Sequence, residues 1–450
     1  MPARREFLKR TLLAGAAISP SLAGLASVEQ LHSLLGRNPQ DDAQDAGYGP
    51  LVPAGPELAL PTGFRYVAFG IEHSPMSDGI RTPGGHDGMA AFAMPNGTIR
   101  LVRNHEMRGL GVAAEDPARA YDPKGPGGTS TIELRLRSDG SPEILRSWMS
   151  ITGTCVNCAG GPTPWGSWLT CEETTVGKAQ GFEQEHGYVF EVPAAADAPV
   201  QPVPLKAMGR FVHEAIAVDP LAGIVYLTED QNRAGFYRFL PRNRTRLVEG
   251  GRLQMLAVTG RPQFNAARGQ RPGAALPVSW VTIADADPSS GDASAVFTQG
   301  YEQGGTRFSR LEGAWWGDDS VYFHATNGGD ARLGQVWRYR PRENTLVLVY
   351  ESTNRAVLDQ PDNITVSPRG GIVICEDASG TCHLRGLSPQ GEIFPFARNL
   401  LNDQEFAGAT FSPDGRVLFV NIQGITMPDG DPTRFGRTFA IWGPWERGAL

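Results

Sequence analysis

The chain has 450 residues, enough for one large repeat fold or two to three ordinary domains. Its 55 glycines and 35 prolines make up a fifth of the chain, against a usual share of roughly 12%, which fits a turn-rich all-β protein. A net charge of −7 argues against a nucleic-acid-binding protein and gives no membrane-surface signal.

In chain order, residues 1–26 read as a twin-arginine export signal. Arg4-Arg5-Glu6-Phe7-Leu8-Lys9 fits the pattern, with Ala3 where Ser or Thr is usual. The weakly apolar stretch from Thr11 to Ala26 is too short to span a bilayer and is interrupted by Pro20, and small residues allow cleavage near Ala23 or Ala26. A periplasmic or secreted protein without a stable membrane anchor is expected, with the twin-arginine export machinery as its partner. Loss of four basic residues and one acidic one would take the net charge from −7 to −10. Residues 27–60 read as a linker with an entry strand.

From residue 61 to 450 a strand-pair pattern recurs six times. The second strands end in Arg103-Asn104-His105-Glu106, Thr170-Cys171-Glu172-Glu173, Thr228-Glu229-Asp230, Ala325-Thr326-Asn327, Cys375-Glu376-Asp377 and Asn421-Ile422-Gln423. Marked positions precede them at Asp87, Asn157-Cys158, Glu214, Glu312, Asp362-Asn363 and around Glu405. Repeats of this length and content predict an all-β, six-bladed β-propeller. The start of a first strand and the end of a second lie on one side of an antiparallel pair, so the twelve positions converge on one mouth of the central channel. Bare carboxylates there would repel one another, so the mouth is expected to hold hard cations. Residues 260–308, with Asp285, Asp287 and Asp292, break the period and read as a long insertion, expected as a flap over the mouth.

Five cysteines, Cys155, Cys158, Cys171, Cys375 and Cys382, leave at least one unpaired. Cys375 and Cys382 could bridge a hairpin. A thiolate among carboxylates suits iron or zinc rather than Ca²⁺; Cys158 and Cys171 both qualify, and Cys158 is favoured because first-strand starts lie closest to the axis. His105, His213 and His324 read as hydrogen-bonding neighbours of the ring, and Trp165, Trp168, Trp315 and Trp316 as packing between blades.

The run Asn157-Cys158-Ala159-Gly160-Gly161-Pro162-Thr163-Pro164-Trp165-Gly166-Ser167-Trp168-Leu169-Thr170-Cys171-Glu172-Glu173 resembles the PhoX family of alkaline phosphatases. So do Gly209-Arg210-Phe211-Val212-His213-Glu214, Phe308-Ser309-Arg310-Leu311-Glu312-Gly313, and Pro361-Asp362-Asn363 with Cys375-Glu376-Asp377. The resemblance implies an exported enzyme that hydrolyses phosphate monoesters. It also implies a mouth holding two Fe³⁺ ions, bridged by an oxo group and a cysteine, and about three Ca²⁺. It assigns Cys158, Glu173, Glu214 and Glu312 to the cluster and Arg310 to the phosphate. Asn157, Asp362, Asn363, Glu376 and Asp377 complete the calcium shell or orient substrate, and Glu172 stands beside them as a further metal candidate. Small phosphate esters are the expected substrates and the protein is read as a monomer. Asn327 is followed by Gly328-Gly329 where a second amide is expected, a departure at which the entry to the site, and with it the substrate, is expected to differ. The competing readings are a lactonase-like propeller hydrolase with a single Ca²⁺ and a non-catalytic, calcium-stabilised binding propeller. A calcium-only site has no use for a thiolate beside the acidic cluster, which counts against the lactonase-like reading.

Overall fold

Local chemistry helps turn first strands back on themselves. Asp219 Oδ1 accepts from the amides of Leu221 (2.8 Å) and Ala222 (2.9 Å), and Ser367 Oγ accepts from that of Arg369 (2.9 Å). Side-chain oxygens of this kind close tight corners without any help from distant parts of the chain. The computed structural model describes residues 47–114, 117–424 and 431–450. The export signal and the linker up to residue 46 lie outside the described residues, which belong to one unit spanning 44–450.

The entry segment supplies β1 (Leu51–Pro53), β2 (Leu58–Pro61) and β3 (Arg65–Phe69). The first repeat is β4 (His86–Ala93), β5 (Ile99–His105), β6 (Gly127–Leu136) and β7 (Pro142–Thr154); the second is β8 (Asn157–Pro162), β9 (Ser167–Glu172) and β10 (Val189–Pro193). The third is β11 (His213–Val218), β12 (Val225–Glu229), β13 (Tyr237–Pro241) and β14 (Gly251–Val258), followed by β15 (Ala275–Thr282). The fourth is β16 (Leu311–Gly317), β17 (Ser320–Ala325), β18 (Gln335–Arg340) and β19 (Thr345–Glu351). The fifth is β20 (Pro361–Val366), β21 (Ile372–Glu376), β22 (His383–Leu387) and β23 (Ile393–Asn399); the sixth is β24 (Phe406–Phe411), β25 (Val417–Ile422) and β26 (Arg437–Trp442).

Every repeat is an antiparallel meander, and the first strands neighbour one another in a closed cycle, β4 to β8, β11, β16, β20, β24 and back to β4. This is the expected all-β propeller. The cycle closes with strands from both ends of the described chain: β3 pairs with β26, from Phe69 opposite Thr438 to Arg65 opposite Trp442. Between blades the core is aromatic and aliphatic; Phe236 of the third repeat stacks on Phe323 of the fourth with centroids 4.3 Å apart.

The expected flap takes a different place. β15 pairs with β14 and β19, the outer strands of the third and fourth repeats, and joins them into one nine-stranded sheet. The α-helix Ala295–Glu302 buries Val296 and Phe297 against the core of the third repeat. The apolar residues of this insertion therefore stitch the rim of two blades together.

Candidate metal centre

All six first strands carry a register shift against their second strands near the start, one extra residue on the inner strand. Such a bulge bends the strand and re-aims a side chain. Aligned on the first ladder pair of each repeat, the residues that follow His86, Asn157, His213, Leu311, Pro361 and Phe406 are Asp87, Cys158, Glu214, Glu312, Asp362 and Ala407. The next position is small wherever the neighbouring backbone presses closest: a Cβ on Gly88 would stand 2.9 Å from the Cys158 carbonyl oxygen. A Cβ on Gly313 would stand 2.7 Å from that of Asp362.

A second ring sits just past the second strands, at Glu106, Glu173, Asp230, Thr326, Asp377 and Gln423. Each of these amides donates to the carbonyl of the residue two before the inner ring, namely Gly85, Val156, Val212, Arg310, Gln360 and Glu405, at 2.7 to 3.2 Å. Four of these six acceptors take the left-handed conformation: Gly85 (φ 55°), Val156 (53°), Arg310 (47°) and Gln360 (51°). For Val156 and Arg310 that conformation costs on the order of 1–3 kcal/mol, strain of the kind that collects at functional sites. The same position thus presents Arg310 in the fourth blade and Glu405 in the sixth. Glu405 supplies the carboxylate that Ala407 lacks.

The donors form a continuous arc. Ligand atoms of Cys158, Glu173 and Glu214 lie within 4.8 Å of one another; so do those of Glu214, Glu312 and Asp362, and those of Asp362, Asp377 and Glu405. Glu214 and Asp362 are shared between groups. Burial pushes the carboxyls of Asp87, Glu173, Glu214, Glu312, Asp362 and Glu405 upward, Asp362 to about 8, and repulsion from a neighbouring carboxylate is the next cause in each. Two guanidiniums answer them. Arg310 takes Asp230 with Nε and Nη2, both at 3.0 Å, and reaches Glu312 at 2.8 Å. Arg108 bridges Glu106 and Glu173, the latter at 2.9 Å. Two cations cannot balance this many carboxylates, and the mixture of one thiol with hard oxygens fits more than one kind of metal ion.

The structure brings together Cys158, Glu173, Glu214, Glu312, Asp362, Asp377 and Arg310. Three expected site residues, Glu172, Glu376 and Asn157, spend their side chains on other partners. Glu172 and Glu376 precede mouth residues by one position and so face the other way along their strands. The Glu172 carboxylate accepts from His186 Nδ1 (2.6 Å) and from the amides of Cys155 (2.9 Å) and Gly187 (2.8 Å). Glu376 accepts from Arg385 Nε (2.8 Å) and the amide of Asp359 (3.1 Å). The buried Asn157 amide accepts from Thr154 Oγ1 (2.6 Å) and donates to Thr170 Oγ1 (2.9 Å), leaving it a structural tie. Asn363 follows Asp362 and packs its Cα on Gly313 of the adjoining blade.

Cys171 belongs to none of the three donor groups, and Cys375 and Cys382 are both unpaired thiols. His105 and His213 hydrogen-bond the carbonyl oxygens of Gly84 and Gly209, both at 2.9 Å, and burial pushes them down to about 3 and about 4, so they are neutral packing groups. Asp87, Glu106, Asp230 and Glu405 were marked by the repeat pattern without a stated role. Arg108 carries no such mark, because it lies on the loop after β5.

Adjacent glutamates of opposite function give a clean contrast. Glu172→Gln strips charge from a buried carboxylate that holds His186 and two amides, and lowers stability by about 2–3 kcal/mol. Glu173→Gln removes one of the repelling mouth carboxylates, so the cation-free protein melts no lower than the wild type while cation affinity falls. Calorimetry of both variants with and without a chelator checks this; a Glu173→Gln protein destabilised as much as Glu172→Gln in chelator contradicts it.

The sequence model of alkaline phosphatase PhoX matches residues 46–425. No curated protein matches the chain. Among solved structures, Pseudomonas fluorescens PhoX in complex with vanadate, a transition state analogue, is similar at 19% identity and TM-score 0.67, covering 89% of this chain and 98% of that one. At that identity the likeness speaks for the fold. A luciferin-regenerating enzyme is less similar (9% identity, TM-score 0.42, covering 80% of this chain and 92% of that one). So is a gluconolactonase of Xanthomonas campestris (13% identity, TM-score 0.38, 87% and 99%). With the family's sequence model running from the entry segment into the sixth repeat, the chain belongs to the PhoX family of alkaline phosphatases.

Proposed function

We propose that the protein, a phosphatase by family, hydrolyses phosphate monoesters at the acidic mouth with the help of a mixed cation cluster. The observation that carries the reading is the unbroken arc from Cys158 to Glu405, in which Glu214 and Asp362 each belong to two donor groups. Shared carboxylates are what adjacent ions require. Cys158, Glu173, Glu214 and Glu312 would hold the iron, two Fe³⁺ by family resemblance. Asp362, Asp377 and Glu405, with Asp87 and Glu106 close by, would hold about three Ca²⁺, an oxygen-only set suited to that ion.

When bound, the cations offset phosphoryl charge and raise the acidity of water. The chain's own part is positioning. Burial works against the charge on Arg310, but Glu312 and Asp230 more than offset it and keep the guanidinium protonated at any working pH. Its side chain is 30% exposed and lies at the rim of the arc. There it would present a planar fork to two phosphoryl oxygens, while Asp230 fixes the plane of the fork. Small phosphate esters are the proposed substrates, met in the periplasm or outside the cell after twin-arginine export as a folded monomer.

The test is elemental analysis of the purified protein together with a panel of phosphate esters. Iron with calcium and monoesterase activity supports the reading; calcium alone without monoesterase activity overturns it. The Cys158→Ser variant is expected to lose its iron and any charge-transfer colour while keeping its strand content by circular dichroism. Iron content equal to the wild type in that variant removes Cys158 from the cluster.

A further inference from the structure

A second guanidinium faces the same arc. Arg108 stands two residues after Glu106, as Arg310 stands two before Glu312. Each arginine bridges carboxylates of adjoining blades, Arg108 joining Glu106 of the first to Glu173 of the second. Arg310 joins Asp230 of the third to Glu312 of the fourth. Cys158 and Glu214, on the inner strands of the second and third blades, lie between the two pairs in the cycle.

The two arginines are held differently. Arg310 engages Asp230 through both Nε and Nη2, and its side chain is 30% exposed. Arg108 makes both of its contacts through Nη2 alone, and its side chain is 49% exposed. Its Nε and Nη1 take no part in either contact. Burial works against the charge of Arg108, while Glu106, Glu173 and Cys158 hold it up, so the group stays protonated. It sits on the loop between β5 and β6, which leaves and re-enters the fold on the mouth side.

Resting on the reading above, in which Arg310 takes the phosphoryl group, we propose that Arg108 is a specificity-determining residue that binds a second anionic group on the substrate's leaving portion. The substrate class it favours is a phosphate monoester whose alcohol carries a carboxylate or a further phosphate. With the phosphoryl group held by Arg310 and the cations that the arc would carry, the leaving alcohol would extend toward the rim. A half-exposed fork with unused donors at that rim meets an anion there, and a charge-assisted pair of hydrogen bonds to it contributes about 1.5–3 kcal/mol, roughly tenfold to a hundredfold in affinity. Bulk water competes at such a site, which puts the expectation at the lower end.

The experiment measures binding to the protein with the cations it carries as purified, using two unreactive probes, methylphosphonate and phosphonoacetate. The second adds one carboxylate to the first. The wild type is expected to prefer phosphonoacetate, and Arg108→Gln to reduce that preference about tenfold, with the same loss of preference appearing in KM ratios for glycerate 3-phosphate against p-nitrophenyl phosphate. Elemental analysis accompanies each variant. Where Arg108→Gln sheds cations, Arg108→Lys replaces it, since lysine keeps positive charge over Glu106 and Glu173 but lacks the fork; a several-fold loss of preference is then expected.

An unchanged preference in a variant of wild-type cation content overturns the proposal, as does an equal loss of affinity for both probes, which would put Arg108 on the phosphoryl group itself. Failure of the wild type to bind either phosphonate or to hydrolyse any monoester is a separate result: it overturns the reading of the mouth on which this one rests.

Discussion

Treatment with a strong chelator at pH 8 is expected to abolish phosphatase activity and to lower the melting temperature by on the order of 10 °C, and added cations are expected to restore both. Each ion bound at a hundredfold excess over its dissociation constant contributes about 2.7 kcal/mol to the folded state, and in a domain of this size about 1 kcal/mol corresponds to roughly 2–4 °C or less. Several ions therefore reach the stated drop. The pH dependence has a definite sign. In the cation-free protein the mouth carboxyls bind protons more tightly folded than unfolded, Asp362 at about 8, so the unfolded state holds fewer protons and stability falls as pH rises above the unfolded values. The chelated protein should melt lower at pH 9 than at pH 7, and the cation-loaded protein should lose that slope because the ions take the place of the protons. His105 and His213 do not enter this window, because their loss of stability comes on acidification below their unfolded value. A melting temperature indifferent to chelator at both pH values would show that the arc is not a metal site.

Arg310→Lys is expected to lower kcat/KM for phosphate monoesters by one to three orders of magnitude with cation content unchanged, roughly the range for a lost transition-state donor. The argument is geometric. Arg310 uses two nitrogens on Asp230 and still reaches Glu312, which only a planar, branched donor does. A lysine in its place keeps the charge and the balance of the mouth but gives a single point of contact. It also keeps the backbone in its left-handed conformation (φ 47°), so the comparison isolates the head group. Kinetics alongside elemental analysis decide between roles: near-wild-type turnover with intact cations would make Arg310 a counter-ion to Asp230 and Glu312 and nothing more.

The propeller was legible because a strand pair with the same ending chemistry recurs, and recurrence survives variation at any one position. Cys158, Glu214, Glu312 and Asp362 were legible for the same reason: each opens a first strand at an equivalent point. What sequence could not separate was neighbours. Glu172 and Glu173, or Glu376 and Asp377, differ by one residue on a strand, and which member faces the mouth depends on where pairing with the inner strand ends. The bulges set that register and have no residue signature of their own beyond a small side chain after the ligand position. Asn157 was misplaced for a related reason: an amide beside a ligand looks like a substrate group until its partners, Thr154 and Thr170, are seen. Arg108 was invisible because loops carry no periodicity. The insertion misled because a long irregular stretch gives no hint that β15 will pair at the outer edges of two blades.

The pairing of β3 with β26 bears on how the enzyme comes into being. Residues 65–69 and 437–442 meet in one sheet, so the sixth blade stays a strand short until nearly the whole polypeptide has been made. Gln423, which in the finished ring donates to Asp87 (3.0 Å) and also reaches Glu106, ties the last repeat to the first. A nascent chain still attached at its end can assemble the middle blades but not this junction, and contacts so distant in sequence form late and slowly. Closure of the ring is therefore a late step of folding, and a protein shortened by its final strand would leave β3 and β25 without the strand that joins them.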